Sequence, residues 1–146
     1  VWDGDREGNP NGFWILLLIL IFGLLFLLIY IWTRPKPPPP EKLVGTIVAD
    51  GTEQTLNDVT GLMHLSGYVD MQNMTTGDVV VLRQYMRAKS GGEYKKYEEI
   101  TYRDAQPNPM VYITTKVAEH GIKVTLQQTA GSFKSFDFNF IQEGLT

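Results

Sequence analysis

Ile122-Lys123-Val124-Thr125-Leu126-Gln127 alternates apolar and polar side chains without a break, and Ser135-Phe136-Asp137-Phe138-Asn139-Phe140 does the same. Successive side chains of a β-strand point to opposite faces, so each stretch makes a strand with one dry face and one wet face. Working outward, further strands are predicted at residues 44–49, 53–59, 63–70, 79–89, 94–103 and 110–116. Turn-forming clusters separate them: Asp50-Gly51, Thr76-Gly77-Asp78, Ser90-Gly91-Gly92, Pro107-Asn108-Pro109, Glu119-His120-Gly121 and Ala130-Gly131-Ser132. One-sided strands bury their dry faces by packing sheet on sheet. The prediction is all-β: an eight-stranded antiparallel β-sandwich, jelly-roll-like or immunoglobulin-like in connectivity. The strand number favours the jelly roll, and the missing Cys…Trp…Cys pattern argues against a true immunoglobulin domain.

Ahead of the sandwich, residues 13–32 contain no charged side chain. At a helical rise of about 1.5 Å, such a segment spans roughly 30 Å, the hydrocarbon thickness of a bilayer. A core helix would show one apolar stripe, whereas Leu16-Leu17-Leu18-Ile19-Leu20 leaves no polar side at all. Phe13 and Trp14 at one end, and Tyr30 and Trp32 at the other, have the amphipathic rings that favour headgroups, while Leu20, Leu24 and Leu28 fill the middle. Acidic leading residues (Asp3, Asp5, Glu7) and the absence of a small-residue cleavage pattern after Trp32 argue against a secretory signal. Gly23 stands alone, so no small-xxx-small helix-pairing motif is present.

The predicted organisation is therefore a polar segment at 1–12, a transmembrane helix at 13–33, a proline-rich spacer at 34–42 and the sandwich at 43–146. Pro35-Lys36-Pro37-Pro38-Pro39-Pro40 predicts a stiff polyproline II spacer. Arg6 precedes the helix, whereas Arg34, Lys36 and Lys42 follow it, favouring the sandwich on the cytoplasmic or capsid-facing side of a single-pass membrane protein. Against this, Asn73-Met74-Thr75 is a glycosylation acceptor that would be used only in an exported domain.

The chain has no cysteine and a formal charge of −3, which excludes disulfides, thiolate metal sites and a polybasic tail. His64 and His120 lack metal-ligand spacing. Glu98 and Glu99, adjacent on a strand, point to opposite faces, and a turn aspartate such as Asp50, near Glu53, satisfies its own backbone. No nucleophile elbow, P-loop or calcium loop occurs. The reading is non-enzymatic, with no cofactor and no metal.

The most unusual surface is the hairpin at 79–103, which interleaves basic residues with tyrosines. Arg83, Tyr85, Arg87, Lys89, Tyr94 and Lys96 form the candidate interaction face. Cations with rings suit nucleic acid, but Glu93, Glu98 and Glu99 in the same hairpin oppose phosphate. A two-residue Gly91-Gly92 turn would set Arg87 opposite Lys96 and Tyr85 opposite Glu98 in a cross-strand charge ladder. Tyr and Arg equally suit a protein contact.

The strings Asp50-Gly51-Thr52-Glu53-Gln54-Thr55, Gly77-Asp78-Val79-Val80-Val81-Leu82-Arg83-Gln84-Tyr85 and Gly121-Ile122-Lys123-Val124-Thr125-Leu126-Gln127-Gln128-Thr129-Ala130-Gly131 together resemble small β-sandwich proteins that recur in archaeal and archaeal-virus gene sets. The resemblance runs from about Leu43 onward and implies a structural or virion context, with no defined activity. With the anchor added, the expectation is a membrane-anchored structural protein. Its partners would be the lipid membrane and other subunits of an assembly, copies of itself included. The alternatives are an archaeal pilus-like filament subunit and a single-helix accessory subunit of a membrane complex. Against the filament stands the polar segment at 1–12, since the apolar helix of such subunits normally opens the mature chain.

Overall fold

The computed structural model describes residues 10–34, 39–114 and 117–145. By contacts the chain separates into two units, Val1–Lys36 and Pro37–Thr146.

In the first unit, α1 runs Pro10–Thr33. It opens on proline, whose missing N–H has no intrahelical partner at a first helical position. Asn11–Thr33 is long and apolar enough to cross a membrane, and none of it is buried by protein. Phe13 and Trp14 meet edge to face at 5.8 Å. At the other end the Arg34 guanidinium lies over the Tyr30 ring at 4.7 Å, and the Thr33 hydroxyl donates to the Ile29 carbonyl at 2.8 Å.

The second unit is a sandwich of eight strands: β1 (Glu41–Val48), β2 (Gln54–Val59), β3 (Met63–Asp70), β4 (Val79–Met86), β5 (Lys95–Arg103), β6 (Met110–Thr114), β7 (Ile122–Ala130) and β8 (Ser135–Gly144). One four-stranded sheet has the order β1-β8-β3-β6 and the other β2-β7-β4-β5, with every pairing antiparallel. This interleaved order, in which the last strands insert between the first ones, is that of a jelly roll, which decides the connectivity left open by the strand pattern. We call the two the β1 sheet and the β2 sheet.

The dry faces meet as the period-two pattern requires. Leu65, Val69, Phe136 and Phe140 of the β1 sheet close on Val80, Leu82, Ile122, Val124 and Leu126 of the β2 sheet. Gly45 and Gly67 lie opposite Phe138 and Phe140, whose rings cover the space a side chain would fill; a Cβ on Gly67 would stand 2.4 Å from the Asn139 carbonyl. The β1 sheet is regular throughout, whereas each of the three pairings in the β2 sheet carries a register shift.

Several strand ends differ from expectation. β1 begins at Glu41 rather than residue 44, because β8 runs on to Gly144 and gives those residues partners. β4 ends at Met86 rather than residue 89, where the chain leaves the ladder for a longer connection. Of the polyproline stretch, residues 35–38 lie outside the described residues, as do residues 1–9 of the leading polar segment and residues 115–116 of the sixth predicted strand.

Candidate interaction face

The hairpin register differs from the one a two-residue turn would impose. Tyr85 stands opposite Lys96, Gln84 opposite Glu98 and Arg83 opposite Glu99, with a shift between Gln84 and Tyr85 that leaves Tyr97 as the extra residue. Two causes act together. The turn is built as Lys89-Ser90-Gly91-Gly92, with the Gly92 amide donating to the Lys89 carbonyl at 3.0 Å and Gly91 at φ 66°, a conformation that favours glycine. The bulge then absorbs one residue of β5.

A charge ladder nevertheless forms on the outer face of the β2 sheet, from β4, β5 and β7 together with Glu53 just ahead of β2, rather than from one hairpin. Arg83 is its centre: its Nε donates to Glu99 at 2.8 Å, and its Nη1 donates to Gln127 at 2.9 Å and stands 3.2 Å from the Glu53 carboxylate. Glu53 also accepts from the hydroxyls of Tyr85 and Thr125, each at 2.6 Å. Lys96 closes on Glu99 at 2.6 Å. Burial alone would raise the Glu53 carboxyl, but the Thr125 and Tyr85 hydroxyls and the Arg83 and Lys123 charges outweigh it and hold the group below the usual carboxylate range. Hydrogen bonds from Lys96 and Arg83 lower Glu99 likewise.

Beside this cluster, cations and rings alternate. The Arg87 guanidinium lies 4.1 Å from the centre of the Tyr94 ring, and Lys123 Nζ lies 4.9 Å from both the Tyr94 and Tyr85 rings. The Tyr94 hydroxyl donates to Asp58, and burial together with that carboxylate pushes its pKa up to about 12. Of the candidate residues, Arg83, Tyr85, Arg87, Tyr94 and Lys96 thus come together, while Lys89 lies exposed in the turn. Glu53, Asp58, Lys123 and Gln127 are essential to the array and were not foreseen. Lys123 and Gln127 stand on the wet face of an obvious strand, but nothing local places that strand beside β4.

Other groups resolve into structural contacts. Asp50 accepts from the backbone and hydroxyl of Thr52 at 2.8 and 2.6 Å. Glu98 accepts from Gln84, which in turn accepts from the Tyr97 hydroxyl, all at 2.6 Å. Gln84 and Glu98 line an opening of about 190 Å³ between β4–β5 and β6, whose remaining walls include Ile100, Tyr102, Val111 and Ile113. His64 and His120 each lie near one carboxylate, Glu143 at 3.9 Å and Glu119 at 3.8 Å. Among the described residues no group of three His, Cys, Asp or Glu is placed to hold a metal ion. Asn73 is exposed, and its amide nitrogen donates to the Ser135 carbonyl at 2.8 Å.

The outer face of the β1 sheet is of another kind. Val44, Val48, Tyr68, Met110 and Tyr112 are exposed there, with Thr46 and Asn139 between them.

No family model matches the chain, and no curated protein matches it. Among solved structures similar to it is one of the Bacillus endospore appendages, described as a family of disulfide-linked pili. It has a TM-score of 0.48 and 15% identity, over 78% of this chain and 97% of that one. A second is the VP2 subviral particle of infectious bursal disease virus, at TM-score 0.41 and 12% identity, over 74% of this chain and 34% of that one. A D431N mutant VP2 in T=1 particles of the same virus gives 0.35 and 12%, over 77% and 33%. This chain spans about a third of the length of the VP2 proteins.

Proposed function

We propose that this chain is a non-enzymatic, membrane-anchored structural protein whose sandwich docks against neighbouring subunits of a virion or comparable surface assembly. The observation that carries the reading is α1: an uncharged helix from Asn11 to Thr33 with no part buried against its own protein. Such a surface is stable only in lipid or against other apolar helices. Phe13, Trp14, Tyr30 and Trp32 would sit at the two interfaces, with Leu20, Leu24 and Leu28 in the hydrocarbon.

The sandwich supports the same reading through its chemistry. The acids and bases of the β2 sheet are engaged with one another, which suits a rigid module better than a catalyst. Of the 34–42 spacer, residues 34–40 would hold the module off the bilayer, on the cytoplasmic or capsid-facing side, Glu41 and Lys42 being part of β1. Arg83, Tyr85, Arg87, Lys89, Tyr94 and Lys96 then remain a protein-contact face rather than a nucleic-acid platform.

Imaging of the native particle, combined with cross-linking, tests the proposal. Helices in a bilayer and sandwiches touching neighbours are expected. A monomer in membranes with no cross-linked partner overturns it, and helices bundled without lipid along a fibre axis would assign the chain to a filament instead. Modification of Asn73 by a glycan would reverse the sidedness.

A further inference from the structure

Sheet edges are where two sandwiches can fuse, because an edge strand carries unpaired backbone donors and acceptors; proteins that stay apart blunt those edges with charges, bulges or proline. The two sheets treat their edges differently. The β2 sheet ends on β5, where Lys95, Lys96, Glu98, Glu99 and Arg103 accompany a register shift, and on β2, which is shifted at Leu56 and carries Asp58. The β1 sheet ends on β6, Met110-Val111-Tyr112-Ile113-Thr114, which has no charge, and on β1, whose only charges are Glu41 and Lys42 at its start. Neither strand has a bulge.

Resting on the assembly reading above, we infer that the partner of the sandwich is a second copy of this chain, with β1 of one copy pairing antiparallel to β6 of the next. The strands of the sheet alternate in direction along β1-β8-β3-β6, so β1 and β6 run oppositely. A copy displaced sideways therefore presents its β1 antiparallel to β6, with inward faces kept inward. The contact is head-to-tail and repeats, each copy offering one β1 and one β6.

Backbone geometry selects the register. The Ala49 amide donates to Lys134 of β8's approach, and Met71 donates to the Pro109 carbonyl ahead of β6. Backbone groups of one residue point the same way and alternate along an antiparallel strand. Lys42, Val44 and Thr46 of β1, and Met110, Tyr112 and Thr114 of β6, consequently direct theirs to the open edge. Val48 does too, but its carbonyl already accepts from Gln54 Nε2 at 3.2 Å. Seating all of β6 on the open part of β1 sets Val44 opposite Tyr112, flanked by Lys42 opposite Thr114 and Thr46 opposite Met110. Val44 and Tyr112 are 67% and 65% exposed, so both are accessible in a single copy.

The chain has no cysteine, so introduced thiols report alone. Facing residues of an antiparallel pair stand about 4.5–5.5 Å apart, within disulfide reach. The full chain carrying Val44→Cys and Tyr112→Cys together, in vesicles under mild oxidant, is expected to give a ladder of disulfide-linked multimers, while either substitution alone gives none. Dimers from either single variant would overturn the head-to-tail pairing, and so would the absence of a ladder. A lysine-reactive cross-linker on the unsubstituted chain separates the two levels. Multimers there without a thiol ladder leave the assembly reading standing and remove this edge from it. No multimers there removes both. Tyr112→Pro, which removes the outward amide without adding an amine, should abolish the lysine-linked multimers while leaving the thermal midpoint of the sandwich within a degree or two.

Discussion

Asp78 is 1% exposed, yet it is surrounded by donors: the Thr75 amide at 2.7 Å, the Thr75 hydroxyl at 3.0 Å, and Lys134 at 3.8 Å. It ties the connection before β4 to the turn after β7, where Gly131 at φ 88° passes so close that a Cβ would stand 1.9 Å from the carboxylate. Burial works to raise this carboxyl, but the Thr75 bonds and the Lys134 charge prevail and lower it. A depressed folded-state pKa means stability that is full above about 3.9, the ordinary aspartate value, and is lost as pH falls through the lower folded value. Asp78→Asn should therefore cost on the order of 1–3 kcal/mol at neutral pH, with the gap to the unsubstituted chain closing on acidification. Thermal midpoints from pH 7 to 2 check both points. Gly67→Ala adds a methyl group where the Asn139 carbonyl and the Phe140 ring already stand, and should destabilise by about 1–3 kcal/mol in a urea titration. Asp78 read only as a turn residue in the sequence: Thr75 is a local donor three residues away, but burial and the Lys134 charge come from packing against the turn after β7, far along the chain.

At the scale of elements, the connection between β4 and β5 is held by the stack of Arg87, Tyr94, Lys123 and Tyr85. Tyr94→Leu should release residues 87–94, seen as faster amide hydrogen exchange there than in β4 itself. Tyr94 has its pKa raised to about 12, so the stability tied to its proton is full below about 10, the ordinary tyrosine value, and is lost as pH rises towards about 12. In Tyr94→Phe the alkaline fall in thermal midpoint across that window should be shallower. The strands themselves were legible because alternation is a local property that survives any arrangement of neighbours. The β4–β5 register was not, since the turn starts at Lys89 and the extra residue Tyr97 breaks the alternation inside β5, putting Lys96 and Glu99 on one face, and neither is marked by residue type.

Across the whole molecule, the helix was the plainest feature in the sequence, because apolarity on all sides needs no neighbour to be recognised. The order of strands was the least plain: Ile122–Ala130 lies between β2 and β4 through contacts made across much of the chain, and the array around Arg83 depends on that placement. If α1 spans a bilayer, Leu20→Arg at its middle adds about 2.5–3.5 kcal/mol to insertion. Alkaline carbonate should then extract much of the variant and little of the unsubstituted chain. The position of β8 bears on how the protein is made. It is the final strand of the sandwich to leave the ribosome, yet it supplies Phe136, Phe138 and Phe140 and lies between β1 and β3, joining them. Until it emerges, the first strand has no neighbouring strand among the described residues of its own chain, so nascent chains arrested before Ser135 should leave the sandwich sensitive to protease. If α1 is the membrane anchor proposed above, biogenesis is ordered, with attachment preceding closure.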